Sequence, residues 1–92
     1  MNKARRKKLV SVLERMNGLS EMLAEITESY EEIRNEEQEA YDNMPESIQG
    51  SDRGLSAAEI TEALDEISDA LEELDTSLGD IIYKLEDVTG EA

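Results

Sequence analysis

The sequence predicts an all-α chain: a two-helix antiparallel hairpin, coiled-coil-like, that dimerises into a four-helix bundle. Two long apolar tracks of helical period carry that expectation, together with one proline and one short glycine-containing stretch between the tracks. The first track runs Leu9, Val12, Met16, Leu19, Leu23, Ile26, Tyr30, Ile33, Glu37, Ala40 and Met44, with Glu37 its one charged member. The second runs Ile60, Leu64, Ile67, Leu71, Leu74, Leu78, Ile81, Leu85 and Val88 without a break. Steps alternating between three and four place every member on one stripe of a helix, and a repeat of this length favours supercoiled packing. All twenty seam positions are expected to face inward.

Taken in order, the elements are a helix over about 3–44, a turn over 45–55 and a second helix over about 56–89, in one domain spanning 1–92. Pro45 removes a backbone donor and biases Met44 away from the α region, which ends the first helix. One further short turn over 45–49, anchored by Ile48, is expected before Gly50. Ser56-Ala57-Ala58-Glu59 reads as a capping box that opens the second helix, with Leu55 and Ile60 as its hydrophobic staple. Gly90 is placed to close that helix in a left-handed conformation. At a rise of 1.5 Å per residue the helices measure roughly 60 Å and 50 Å. A short connection makes them antiparallel neighbours. Counting outward from the turn sets Met44 near Ala57, Ile33 near Ile67, Leu23 near Leu78 and Val12 near Val88.

The dimer is expected because the positions flanking the seam are small or apolar where a two-stranded coil would carry paired Glu and Lys. Among them are Leu13, Ser20, Met22 and Thr27 on the first helix, and Thr61, Ala63, Ser68, Ala70 and Ile82 on the second. They widen the apolar stripe toward what a helix needs inside a bundle. Leu13, Met22, Tyr30, Ala63, Ala70 and Ile82 are the candidate self-association residues. Stacking two hairpins antiparallel would bring each basic end toward a partner's acidic half.

Composition excludes more than it assigns. The chain has 92 residues, no Cys and no His, so thiolate and imidazole ligands, disulfides and the usual general base are absent. A di-iron bundle needs Glu-x-x-His pairs. A calcium loop through Asp75-Thr76-Ser77-Leu78-Gly79-Asp80 is ruled out by the seam residue Leu78. Paired carboxylates need a desolvated pocket before they do acid–base work, and a slim bundle provides none. No catalytic, cofactor-binding or metal-binding residue is expected, and no enzyme activity.

The net charge is −15, and five of the nine basic residues lie in the first eight positions. From Glu21 to Asp75 stand 19 acidic residues against Arg34 and Arg53 alone. That stretch repels nucleic acid and anionic lipid. No apolar run reaches the roughly 18 residues that would span a membrane. The basic start is followed by too short an apolar run, ended by Glu14, to make a leader. The expected location is the cytoplasm, that of the host if the protein is viral.

Three features admit two readings each. The N-terminal cluster Lys3, Arg5, Arg6, Lys7 and Lys8 is expected to be a solvated end paired with Glu86, Asp87 and Glu91; the alternative is a phosphate-binding arm. Glu37 is expected to reach water beside Arg34; the alternative is a buried polar contact opposite Leu64. Acids such as Glu31, Glu32, Glu62, Glu66, Glu72 and Glu73 read as a solvated outer face. Regularly spaced carboxylates on a rigid rod also imitate nucleic-acid phosphates, which would suit a host protein with a basic surface.

The segment from Ile33 through Glu36-Glu37-Gln38-Glu39-Ala40-Tyr41-Asp42-Asn43-Met44-Pro45-Glu46-Ser47-Ile48-Gln49 to Gly54 resembles a signature of small acidic helical-hairpin proteins of phages and prophages, EEQEAxDNxPESxQ. It covers roughly a quarter of the chain. The resemblance implies a glycine-containing turn, an acidic second helix and a phage or mobile-element setting, and it implies no activity. Read from its residues, the tip is either a partner-binding surface of Tyr41, Asn43, Pro45, Ile48, Gln49 and Arg53, or a structural cap. In the cap, Tyr41, Met44, Ile48 and Leu55 would cover the bundle end while Asn43, Ser47 and Gln49 bond the turn. The function expected is a non-enzymatic protein–protein interaction module; an acidic mimic that inhibits a nucleic-acid-binding or defence protein is the alternative.

Overall fold

The computed structural model describes residues 1–90, and it is all-helical. Helix α1 spans Lys3–Asp42, α2 spans Glu46–Gln49 and α3 spans Asp52–Thr89, with no strand among the described residues. Each boundary has a local cause. Asn2 caps α1: its Oδ1 accepts from the Arg5 backbone N–H at 2.8 Å, satisfying one of the donors a helix start leaves open. At the other end Asn43 N–H still reaches the Glu39 carbonyl at 3.0 Å, but Met44 N–H turns to the Tyr41 carbonyl at 3.1 Å and the helix closes. Pro45 is extended, at φ −59° and ψ 146°, and its carbonyl starts α2 by accepting from Ile48 and Gln49, each at 2.9 Å.

The turn differs from expectation in its bounds. The first helix stops at Asp42, two residues before Met44, and α3 opens at Asp52, four before Ser56. Ser51 does the capping expected of Ser56. Its Oγ accepts from Gly54 N–H at 3.3 Å and donates to the Ile48 carbonyl, while its own carbonyl accepts from Leu55 N–H at 2.9 Å. Gly54 is buried, and a Cβ there would collide with the Ile48 and Gln49 carbonyls. Only glycine lets the start of α3 approach α2 this closely. At the far end Gly90 adopts φ 77° and donates to the Glu86 carbonyl at 2.8 Å, the left-handed stop its position predicted.

Contacts divide the chain into two compact units, and both long helices pass through both. Unit one takes in Met1–Glu25 and the chain from Glu72 onward; unit two is Ile26–Leu71. In unit one Leu13, Leu23 and Leu78 are buried, with Leu9, Met16, Ser20, Ile82 and Leu85 half-buried around them. Thr89 is buried as well, and its hydroxyl donates to the Leu85 carbonyl at 2.7 Å, so the burial leaves no donor unmet. In unit two the half-buried positions include Thr27, Tyr30, Glu31, Arg34 and Tyr41 on α1, with Ala57, Thr61, Leu64, Asp65, Ser68 and Leu71 on α3.

The twenty seam positions therefore do not all turn inward. One column of each track does: Leu9, Met16, Leu23 and Tyr30 on α1, and Leu64, Leu71, Leu78 and Leu85 on α3. The other column is open to water. Val12 and Leu19, with Leu74, Ile81 and Val88, are exposed in unit one, and Ile26, Ile33, Ile60 and Ile67 are exposed in unit two. Flanking residues take the inner places instead, with Leu13 and Thr27 on α1 and Thr61 and Ile82 on α3. The physical reason is stripe width. A stripe covering seam and flank is wider than one neighbouring helix can cover, and the contact goes to the side where small hydroxyl residues permit close approach.

Candidate functional site

The densest polar arrangement lies in unit two, where residues one α-helical turn apart on α1 meet a matching pair on α3. Tyr30 Oη donates to the Leu64 backbone carbonyl at 2.6 Å. The Arg34 guanidinium spans two carboxylates: Nε and Nη2 lie 2.8 Å and 2.7 Å from Asp65 Oδ1, and Nη1 lies 3.2 Å from Glu31 Oε2. The other Glu31 oxygen accepts from Ser68 Oγ. Ser68, Glu31, Arg34 and Asp65 thus form one continuous chain of charge-assisted hydrogen bonds. Hydrogen bonding to Asp65, and then to Glu31, raises the Arg34 pKa further above its ordinary value. Desolvation, with the Glu31 charge second, raises that of the Tyr30 phenol. Every group in the chain is engaged by another. The arrangement is a clip between the two long helices.

Glu37, expected beside Arg34, is exposed, and Arg34 is committed to Glu31 and Asp65. Sequence reasoning put Tyr30 and Arg34 on the helix without finding the clip. Its one visible signal was Glu31 and Arg34 at helical spacing; Asp65 and Ser68 gave none.

At the tip, Gln49 Nε2 donates to the Tyr41 carbonyl at 3.1 Å, a second donor to the oxygen that already accepts from Met44 N–H. Tyr41, Ile48 and Gln49 are half-buried, whereas Asn43, Pro45 and Arg53 are exposed. Ser51, absent from the expected set, does the backbone bonding anticipated for Asn43 and Ser47. Of the cap residues, Met44 is half-buried and Leu55 is exposed.

The expected self-association residues are divided. Leu13 is buried within the chain, and Tyr30 and Ile82 are half-buried, whereas Met22, Ala63 and Ala70 face water. The larger outward surface is the open seam column. Its members recur every seven residues and keep between 41% (Val12) and 57% (Ile33) of their surface. In unit one Val12 and Leu19 also line, with Arg15 and Met16, an open groove of about 290 Å³. The ion pairs among the described residues both belong to Arg34, so the expected pairing of the basic terminus with Glu86 and Asp87 is not made. Glu91 lies outside the described residues.

Among the described residues no group of carboxylates has the geometry to hold a metal ion, and no buried side-chain polar atom lacks a partner. No helix is long and apolar enough to cross a membrane. Compared with known proteins, the chain matches no family model, no curated protein and no solved structure.

Proposed function

We propose that the chain is a helical hairpin that works by pairing with other helices and has no chemistry of its own. The outward seven-residue columns carry this reading. Nine β-branched or leucyl side chains stand open to water, where a lone monomer gains nothing from them. Burying the remaining half of each contributes roughly 1 kcal/mol, hence roughly 10 kcal/mol in all. That is comparable to the cost of association, of about 4–15 kcal/mol. A partner that covers the columns can be held; one that covers a few of them cannot. The hairpin itself is supported by the clip: Glu31 with Ser68 and Arg34 with Asp65 run in opposite chain directions, within two residues of the register counted from the turn. The resemblance of the tip segment to phage and prophage hairpin proteins is consistent with an interaction module of that type.

The test is recovery of tagged chain from its source cells, in the presence of a second, differently tagged copy. A bound helical protein, the second copy included, is expected to stay bound in about 1 M salt, where charge attraction is screened within about 3 Å. The double substitution Ile33→Asp with Ile67→Asp is expected to release it. Retention by the double variant, or release of the native chain by salt alone, overturns the reading and favours the acidic face as the binding surface.

A further inference from the structure

We infer that the occupant of the open column in unit two is a basic amphipathic helix of another protein, laid against Ile26 and Ile33 of α1 and Ile60 and Ile67 of α3. The inference rests on the helix-pairing reading and adds the site and the chemistry of the partner.

The four isoleucines share one face. Within unit two the long helices meet at Tyr30, whose hydroxyl donates to the Leu64 carbonyl, and the clip contacts run in opposite chain directions. Arg34 ties Glu31, one residue after Tyr30, to Asp65, one residue after Leu64, and so marks one side of the pair. Ile26 and Ile33 stand four before and three after Tyr30; Ile60 and Ile67 stand four before and three after Leu64. Those offsets lie about 150° around a helix from the residue one place on. Turning a helix end for end in the plane of a pair keeps its faces, so equal offsets on the two helices look the same way. The clip takes one side and the isoleucines take the other, all four exposed. Beside Ile60 and Ile67, Ala63 and Ala70 are exposed and small, which lets a third helix come close. Each pair of isoleucines spans one heptad, about 10.5 Å, so a docked helix of roughly three turns covers all four.

Charge selects the occupant. Unit two carries two basic and fourteen acidic residues, a net −12. Arg34 is held on the clip side, and Arg53 stands at the start of α3, seven residues ahead of Ile60. The charges bordering the isoleucines are carboxylates. Glu36 and Glu37 lie one turn beyond Ile33, and Glu32, Glu59 and Glu66 come directly before Ile33, Ile60 and Ile67, all of them exposed. Unit two of a second copy would set −12 against −12, and an acidic or neutral helix would leave these carboxylates unpaired. Nucleic acid brings the same sign of charge and no apolar side chain. A helix with Leu or Ile on one face and Lys or Arg along its flanks covers the isoleucines and meets the glutamates.

Two synthetic amphipathic peptides of about five turns test this, sharing a leucine face and flanked by Lys in one and by Glu in the other. In calorimetric titration of the native chain at about 0.1 M salt, the Lys peptide should bind at least about tenfold more tightly than the Glu peptide. In about 1 M salt its affinity should fall about tenfold and stay measurable. Ile33→Asp with Ile67→Asp should weaken it about tenfold or more, although two added negative charges would tighten a contact held by charge alone. Ile33→Ala with Ile67→Ala leaves the charge unchanged and should also weaken it. Equal binding of the two peptides, with both lost in both double variants, overturns the basic partner and leaves helix pairing standing. A Lys peptide that holds to both variants, or that leaves in high salt, overturns the inference and the reading beneath it. Binding of neither peptide overturns the inference alone.

Discussion

Leu23 keeps 6% of its surface and Met22, its neighbour, keeps 56%. A step of one position around the helix separates packing from solvent. Replacing Leu23 with Ala should therefore cost about 2–4 kcal/mol in urea denaturation, the range for a buried leucine whose cavity partly collapses. Met22→Ala should stay within about 0.5 kcal/mol. Equal costs at the two positions would mean that α1 is rotated from the orientation described. Tyr30 makes a pH-dependent case. Its phenol is neutral when protonated, and desolvation together with Glu31 raises its pKa above the ordinary tyrosine value. The stability it contributes is thus fully present below that ordinary value, near pH 10, and is lost as pH rises through the raised one. The urea midpoint of the native chain should fall more steeply than that of Tyr30→Phe across this window. Parallel curves would show that burial and the Glu31 charge do not favour the neutral phenol.

At the scale of elements, most of what the sequence spelled out was periodicity and backbone punctuation. Pro45 and Gly90 mark their boundaries because proline fixes φ and glycine permits a positive one, with no help from the rest of the fold. The start of α3 was harder. Ser56 with Glu59 and Ser51 ahead of Asp52 are both acceptable openings, and the residues between them are compatible with helix. What decides is Gly54 lodged against the Ile48 and Gln49 carbonyls, a contact between elements that no local pattern announces. Asn2, of a residue type that favours the cap position, stands directly ahead of α1 and its basic cluster. The assignment of caps has a direct check. Ser51→Ala should lower stability by about 1 kcal/mol, whereas Ser56→Ala, inside the helix, should change it by less than about 0.5 kcal/mol. Thermal melts in which Ser56→Ala is the more damaging would restore the later start.

For the whole molecule, the tracks told which residues are apolar and helical in phase, and left open which side of a wide stripe meets the chain's own second helix. Flank and seam differ by about a hundred degrees around a helix. The choice between them went to the side holding Ser68, Thr61 and Thr27, together with the Arg34 clip, whose members are far apart in sequence. The column thus left open is uncommitted surface on a chain with a strong negative charge, and these two properties respond to solution conditions in separable ways. Added salt screens the repulsion among the fourteen acidic residues of unit two and should raise Tm at any protein concentration. Protein concentration acts only if another copy covers the columns. Mass action then stabilises the folded state, and a tenfold rise in concentration should lift Tm by roughly 5 °C for a domain of this size. A melt that follows salt and ignores concentration would describe a self-repelling monomer with its apolar column permanently wet. A melt that follows both requires the column to be covered, and Leu19→Asp with Ile26→Asp should then abolish the concentration dependence and leave the salt dependence in place.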